Sequence, residues 1–148
     1  MTSEPLTRQL VVFTLASERY ALPIDIVQEI IRFSEPRSIA STQTSVRGVI
    51  SLRGRIIPVY DISNALGLQI EISHDSRIVI VEIGDDTAGV IVDSVDEVLT
   101  VETDAIEEAP TADQSLIDAI VRVDGNLVAL LSLSGVFGEE SAALRLAA

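Results

Sequence analysis

The chain has 148 residues, and its ten basic side chains, all of them arginine, are outnumbered by 23 acidic ones for a net charge of −13. The absence of cysteine and lysine excludes thiol nucleophiles, cysteine zinc sites and lysine Schiff bases. The acidity disfavours nucleic acid and anionic membranes as partners. No apolar run could span a bilayer and no signal-peptide core is present, so we expect a cytoplasmic protein without direct membrane insertion.

Short segments rich in β-branched residues follow one another along the chain and predict an all-β fold with short helices. Turn-forming residues separate them at intervals of about 8–12 residues, which is typical of small barrels or a sandwich. The predicted strands are Leu10–Leu15, Tyr20–Ile24, Val49–Leu52, Ile56–Tyr60, Ile78–Ile83, Gly89–Val92, Val95–Val101, Ile120–Val123 and Leu127–Leu131.

The segments between these strands predict tight turns. Asp124-Gly125-Asn126 is typical of a hairpin turn, and we expect Gly125 and Asn126 to tolerate its positive φ angles. Gly84-Asp85-Asp86-Thr87 is expected to join two strands in the same manner. No internal repeat is evident in the sequence.

Little helix is predicted. Pro23–Arg32 indicates a turn of helix that runs into a strand, and Asp61–Leu66 indicates a short helix capped by Gly67. Glu102–Leu116 contains a proline and many acids, and it is expected to be an exposed loop. Ser134–Leu146 is a candidate terminal helix.

The residue types needed for catalysis are scarce. His74 is the one histidine of the sequence, and it lies beside Asp75 in a polar segment that contains no nucleophile motif. A loop histidine therefore explains the position better than a general base does. Adjacent acids such as Asp85-Asp86 do not follow the ligand spacing of an EF-hand. We expect no catalytic set, no metal site and no cofactor.

One basic segment stands out from the acidic background. Val46–Asp61 reads VRGVISLRGRIIPVYD, and it places Arg47, Arg53 and Arg55 within nine residues, together with two glycines. Arg53 and the glycine after it are expected to turn one strand into the next. A guanidinium at such an edge suits carboxylates or carbonyls on a partner. In a chain without catalytic residues, this pattern favours recognition over reaction.

Four segments, in this order and spacing, resemble CheW, the adaptor family of bacterial and archaeal chemotaxis arrays. Each segment alone is a modest β pattern, but the ordered set makes a specific match. The segments are Phe13–Ile30, Gly48–Ile62, Arg77–Leu99 and Val121–Leu133. The resemblance predicts one CheW-like domain over residues 8–138, followed by a C-terminal tail or helix over 139–148.

The resemblance implies two small SH3-like β-barrel subdomains packed around a shared hydrophobic core, with the chain divided near residue 70. It implies no enzymatic activity. Members of the family couple the cytoplasmic tips of chemoreceptors to the histidine kinase CheA, whose regulatory domain is similar to CheW. The helical receptor tip is expected to dock in a groove between the barrels, and the barrel ends are expected to associate with the CheA regulatory domain into rings.

Six partner-binding residues follow from the resemblance. Gly48, Arg53 and Gly54 match the family signature GVxNLRG, whose arginine is implicated in receptor–kinase coupling. The remaining three belong to the receptor-facing segment: Val27, Glu29 and Ile30. Structural explanations stay open beside these roles, because the arginines could balance acids within the chain, Gly48 could relieve a bulge, and the two aliphatic residues could be core.

The chain departs from the family pattern in several places. Ser51 replaces the asparagine of the signature, Ser132 replaces an acid near the end, and residues 41–45 lack the usual proline. These departures leave open which receptors and kinase are served, and whether the system controls swimming or a divergent output. A small-ligand-binding module with Arg53 and Tyr60 in a closed cavity is an alternative, as is an enzyme that uses His74 with Asp75.

Overall fold

The computed structural model describes residues 6–39, 45–108 and 116–133, and most of these residues lie in strands. Two 3-10 helices of three residues, Ile24–Ile26 and Thr103–Ala105, are the helical elements assigned among them. The strands of the described residues are β1 (Thr7–Leu15), β2 (Glu18–Pro23), β3 (Val27–Arg32), β4 (Val46–Leu52), β5 (Arg55–Tyr60), β6 (Arg77–Ile83), β7 (Asp86–Val92), β8 (Ser94–Glu102), β9 (Ile106–Glu108), β10 (Ile117–Val123) and β11 (Asn126–Leu131).

The strands form two curled sheets. One sheet takes strands from both ends of the described chain in the order β8-β1-β2-β11-β10-β9, and we call it the terminal sheet. The other has the order β3-β6-β7-β5-β4, and we call it the central sheet. The chain changes sheet after Pro23 and again after Val92, so residue 70 lies between two strands of the same sheet.

Three apolar clusters hold the sheets together. The largest contains buried side chains from both sheets, with Phe13 and Leu22 from the terminal sheet against Tyr60 and Val90 from the central sheet. Each sheet also encloses a smaller cluster of its own. The shared core predicted between two barrels is therefore confirmed, and burial of these side chains from water is its main stabilising term.

The central sheet is closed by the segment that follows β3. The backbone N–H of Arg37 donates to the carbonyl of Val49 at 2.8 Å, and the N–H of Val49 donates back to Arg37 at 2.9 Å. This bridge covers part of the outer edge of β4. A curled sheet whose free edge is paired in this way forms a small barrel.

The described chain contains a repeat, although none was evident in the sequence. In each half, a hairpin is followed by a single strand and then by a second hairpin: β1-β2, β3 and β4-β5 in the first half, and β6-β7, β8 and β10-β11 in the second, where the short strand β9 is additional. The first hairpin of each half pairs with the single strand of the other half, as β1 does with β8 and β6 with β3. Each barrel is therefore built by exchange of a hairpin.

The strand registers of the two halves are the same. The pairs Val46↔Tyr60 and Gly48↔Val59 enclose a bulge in one hairpin, and Ile117↔Leu131 and Ala119↔Leu130 enclose one at the equivalent place in the other. Each sheet also contains one parallel pair between the two halves, β5 with β7 and β11 with β2. The equivalent sequences IDIVQEII (24–31) and VDSVDEVL (92–99) retain the pattern that could have shown the repeat.

Four hairpin turns contain residues with positive φ. The β10-β11 turn has Asp124 at φ 49 and Gly125 at φ 81, so the prediction of Gly125 was confirmed and that of Asn126 was wrong by one position. Asn126 is instead the first residue of β11, paired with Val123. The β6-β7 turn has Gly84 at φ 61, as expected of a glycine at the first central position.

The segment predicted as a short helix at Asp61–Leu66 is a turn. The N–H of Leu68 donates to Ser63 at 2.8 Å and that of Gly67 donates to Asn64 at 3.1 Å, the Schellman pattern of a helix end. Gly67 has φ 74, so the expected glycine cap is present without a helix before it.

The remaining secondary-structure predictions have different outcomes. The turn of helix before a strand within Pro23–Arg32 is confirmed. The loop predicted from Glu102 onward instead contains a 3-10 helix and the short edge strand β9 before residue 109. The predicted helix Ser134–Leu146 lies outside the described residues, and the domain limits 8–138 and the tail 139–148 stay predictions.

Candidate functional site

The site is built around the turn between β4 and β5. Leu52 pairs with Arg55, which leaves Arg53 at φ 52 and Gly54 at φ 80 as the two central residues. This turn matches the right-handed twist of its strands and requires positive φ at both positions. Asparagine, aspartate and glycine adopt that conformation readily, whereas arginine does so less often. The side chain of Arg53 is 76% exposed.

Arg53 binds Glu29 through a two-pronged ion pair. Its Nε donates to Oε2 of Glu29 at 3.1 Å, and its second terminal nitrogen donates to Oε1 at 3.1 Å. The hydrogen bonds to Glu29, followed by its charge, raise the pKa of Arg53. The pair fixes the direction of an otherwise exposed guanidinium.

The Arg53–Glu29 pair joins two distant edges of the central sheet. Glu29 lies in β3 at one edge, and Arg53 follows β4 at the other edge. The two residues are 24 positions apart, one in the receptor-facing segment and the other in the family signature. The structure brings them together because the sheet is closed into a barrel. An acid of the chain therefore balances the charge of Arg53, which is one of the structural explanations given above for the arginines.

Val27 and Ile30 lie on the opposite face of β3 from Glu29. Val27 pairs with Val81 and packs on the shared core, whereas Ile30 pairs with Val79 and is 40% exposed. A bulge between Val27 and Glu29 keeps the two aliphatic residues on one face, although they are three positions apart. Val27 is therefore partly core, and Ile30 is available to a partner.

Gly48 has a packing reason of its own. A Cβ at this position would lie 2.3 Å from the carbonyl oxygen of Arg37 and 3.1 Å from Cβ of Pro36. The close approach of the bridging segment to β4 therefore requires glycine. This observation accounts for Gly48 through closure of the barrel, and its role in binding stays a prediction.

The two neighbouring arginines have different partners. Arg47 donates to Glu35 at 3.1 Å through its Nε, lies 3.7 Å from Asp61, and stacks over the ring of Phe33. Arg55 donates to the hydroxyl of Thr87 at 3.3 Å. All three arginines thus have a partner within the chain, and the side chain of Arg53, at 76% exposed, is more open to solvent than that of Arg47 at 32%.

The repeat supplies a second copy of the turn for comparison. Asp124-Gly125 occupies in the β10-β11 hairpin the place that Arg53-Gly54 occupies in β4-β5. Glu97 is equivalent to Glu29, and it accepts from Arg19 at 2.6 Å. The same backbone turn is therefore made with an acid at the arginine position, and turn geometry does not explain Arg53.

The residues weighed for catalysis and ligand binding do not form a site in the described chain. The side chains of His74 and Asp75 are 3.4 Å apart, and that of His74 is 93% exposed. No group of three His, Cys, Asp or Glu residues within residues 6–39, 45–108 and 116–133 is placed to hold a metal. Two open polar cavities of about 380 and 430 Å³ have linings that include neither Arg53 nor Tyr60. Among the described helices, none has the length and apolarity needed to cross a membrane.

The family model for the CheW-like domain matches residues 9–141 of the chain. The chain belongs to the CheW family. The chemotaxis protein CheW of Klebsiella aerogenes is 32% identical over 81 residues, which are 55% of this chain and 48% of that protein. CheW of Bacillus subtilis is 32% identical over 83 residues, which are 55% of this chain and 53% of that protein. The matched segment thus spans about half the length of these curated relatives.

A solved structure extends the likeness to nearly the whole fold. The scaffolding protein CheW of Thermoanaerobacter tengcongensis has a TM-score of 0.81 and 36% identity, and the match covers 90% of this chain and 89% of that one. The all-β prediction with two SH3-like subdomains is therefore confirmed. The binding roles of the six predicted residues stay predictions.

Proposed function

We propose that this CheW-family protein is a non-enzymatic adaptor that couples the cytoplasmic tips of chemoreceptors to the histidine kinase CheA. The family match and the likeness to a scaffolding protein support this role. The observation that carries it furthest is Arg53, an exposed guanidinium held in a fixed direction by Glu29. The protein would act in the cytoplasm, associated with membrane receptor arrays through its partners. CheW-like adaptors of divergent signalling systems would use the same arrangement.

The backbone at Arg53 supports a binding role. A non-glycine residue at positive φ costs conformational energy, and such residues concentrate at functional sites. The equivalent turn contains Asp124, which suits that conformation better. The presence of an arginine where the turn favours asparagine or aspartate is explained if its guanidinium meets a partner carboxylate or carbonyl.

The two faces of β3 suggest how coupling would work. One face presents Ile30 beside the shared core and is suited to the receptor tip, whereas the other supports Glu29 and the Arg53 turn at the end of the central barrel. A single strand thus connects the Ile30 surface to the exposed Arg53 turn. Placement of the receptor on the Ile30 face and of the kinase at the Arg53 turn would make kinase output depend on their relative position, which is a coupling between two sites.

The test replaces Arg53 in the full-length protein and measures receptor-dependent kinase activity of CheA in a reconstituted mixture. Arg53→Ala and Arg53→Asn are both expected to lower receptor-dependent activation, and Arg53→Asn also suits the turn, so a loss cannot be attributed to the backbone. Thermal melting is expected to remain close to that of the wild type.

Arg122→Ala is the matched control, because it removes one exposed arginine from the terminal sheet and changes the net charge equally. It is expected to activate like the wild type. Unchanged activation by both Arg53 variants would remove Arg53 from the mechanism, and failure of the wild-type protein to support activation would contradict the adaptor role itself.

A further inference from the structure

Two arginines lie directly opposite each other on the central sheet. Arg32, the last residue of β3, pairs with Arg77, the first residue of β6. Directly opposed residues on antiparallel strands point to the same face, with Cβ atoms about 4.5–5.5 Å apart. Like charges in this arrangement destabilise a sheet. The placement is therefore unfavourable unless other groups offset the two charges.

No carboxylate of the described chain neutralises this arginine pair. Within residues 6–39, 45–108 and 116–133, neither Arg32 nor Arg77 has an acidic oxygen within 4.0 Å. Arg77 is half-buried, and one of its terminal nitrogens donates to the carbonyls of His74 at 3.0 Å and Ser76 at 2.9 Å. These bonds orient the guanidinium and leave its other donors available, while Arg32 is exposed beside it.

The fold itself does not demand these arginines. In the repeat, the positions equivalent to Arg32 and Arg77 are Thr100 and Gln9, which form a pair in the same register on β8 and β1. The second barrel is thus made with two neutral side chains at this place. Although the net charge of the chain is −13, the central barrel has two adjacent arginines without a carboxylate partner among the described residues.

The arginine pair continues the surface that contains Ile30. Ile30 pairs with Val79 two register positions away, on the same face as Arg32 and Arg77 and as the shared core. An exposed aliphatic side chain and a pair of guanidinium groups therefore lie along one stripe of β3 and β6. A protein segment with an acidic side chain next to an apolar one could contact both the arginine pair and Ile30. A free anion could contact the arginines alone.

We propose that Arg32 and Arg77 together bind a carboxylate of the partner that docks on Ile30, namely an Asp or Glu side chain on the helical receptor tip. This inference rests on the proposed function and adds two residues that recognise the partner's charge. Two guanidinium groups give the fixed donor geometry that a carboxylate matches. Binding would also relieve the repulsion within the arginine pair.

The experiment titrates a chemoreceptor cytoplasmic fragment against the full-length protein and its variants at low and high salt. Arg32→Ala and Arg77→Ala are each expected to weaken binding by about tenfold, which corresponds to about 1.4 kcal/mol. The loss is expected to be smaller at high salt, because partly exposed charges are screened. Arg122→Ala is the matched control and should bind like the wild type.

Arg77→Lys is a second variant for the case that Arg77→Ala, which loses the carbonyl contacts, does not fold. It keeps the positive charge. It is expected to bind more weakly than the wild type because lysine lacks the planar fork. A parallel titration uses inorganic phosphate alone and should show no saturable binding. Saturable phosphate binding that depends on both arginines, with receptor binding unchanged, would assign the pair to a free anion and overturn the proposal.

The outcomes separate this inference from the proposed function. If the wild type binds the receptor fragment and the Arg32 and Arg77 variants bind it equally well, the carboxylate site is wrong and the adaptor role stands. If the wild type does not bind the fragment at all, both are contradicted. Selective weakening by the two variants, with the Arg122 control intact, supports both.

Discussion

Gly48 shows how one residue determines closure of the central barrel. Its hydrogen atom leaves room for the carbonyl of Arg37, whose backbone exchanges two hydrogen bonds with Val49. In the repeat, Ala119 occupies the equivalent position and pairs with Glu108 of β9. The requirement for glycine is therefore specific to the central barrel, where the carbonyl of Arg37 approaches β4.

Gly48→Ala is expected to destabilise the protein by about 1–3 kcal/mol, because the new Cβ overlaps a backbone carbonyl that cannot move aside freely. Urea denaturation measures the loss, and Ser51→Ala on the same strand serves as a control at an exposed position. A Gly48→Ala protein as stable as the wild type would show that the bridge is not closely packed.

The residues of the candidate site were partly predictable. Arg53 and Gly54 could be named because a basic Arg-Gly turn is a local pattern. The ion pair between Arg53 and Glu29 could not be predicted. The two residues are 24 positions apart and meet only because the sheet closes into a barrel. Arg32 and Arg77 were not singled out for the same reason, because only the β3-β6 register places them opposite each other.

At the scale of elements, the β1-β2 hairpin contains an unfavourable turn. Ala16 at φ 51 and Ser17 at φ 70 are the two central residues, and neither is the asparagine or glycine that this turn favours. The N–H of Ala16 donates to Asp93 at 2.7 Å, which anchors the turn to the segment between β7 and β8. Tertiary contact thus maintains a turn that local preference opposes.

Replacing Ala16-Ser17 by Asn-Gly is expected to stabilise the protein by about 1 kcal/mol, because both new residues suit the positive φ angles of this turn. The backbone N–H to Asp93 is retained, so the gain comes from the turn alone. Denaturant midpoints of this variant and of Ser17→Ala provide the comparison, because alanine brings no relief at positive φ. A midpoint below that of the wild type would contradict the assignment of strain to this turn.

The β1-β2 hairpin also contains Tyr20, which is buried and stacked against Phe13. Burial, together with the neighbouring Glu18, raises the pKa of Tyr20 from 10.0 to about 12. The unfolded chain loses this proton first, so the contribution of Tyr20 to stability is full below pH 10 and declines as the pH rises toward 12.

Denaturation of the wild type between pH 9 and about pH 11 is therefore expected to show a decrease in stability that is smaller in Tyr20→Phe. The substitution retains the ring and its contact with Phe13, so it isolates the hydroxyl. Identical pH dependence of the two proteins would show that the phenol is not held neutral by the fold.

Individual strands were predictable because their signal is local. A short run of β-branched residues with turn residues beside it is a local feature of the sequence, as in Ile78–Ile83, which Gly84 follows. The edge strand β9 was missed because its three residues are too short for a period to appear. Asp61–Leu66 was misjudged because a Schellman closure has the same glycine signal whether or not a helix precedes it.

At the scale of the whole molecule, the exchange of hairpins sets the topology. β1 pairs with β8, and the paired residues Thr7 and Glu102 lie 95 positions apart in the sequence (102 − 7). Local patterns contain no information on such pairings, so the resemblance to CheW was needed to predict two barrels. The strand registers show a repeat that is hard to see in the sequence, because equivalent positions of the two halves contain different residues. Asp124, for example, lies where the other half has Arg53.

The same exchange makes the two barrels one mechanical unit. Every barrel contains strands from both halves of the chain, and the largest apolar cluster joins the sheets across their interface. We expect unfolding in urea to be a single cooperative transition, with intrinsic fluorescence of the two tyrosines and circular dichroism giving coincident midpoints. Two separated transitions would contradict the shared core as the main source of stability.

The adaptor role is tested most directly by sedimentation of a mixture of this protein, a chemoreceptor cytoplasmic fragment and CheA. We predict that the kinase and the receptor fragment co-sediment as one complex only when the wild-type protein is present, and that Arg53→Asn greatly reduces this complex. Equal co-sedimentation of receptor and kinase without the protein, or no binding of the protein to either one, would contradict the account.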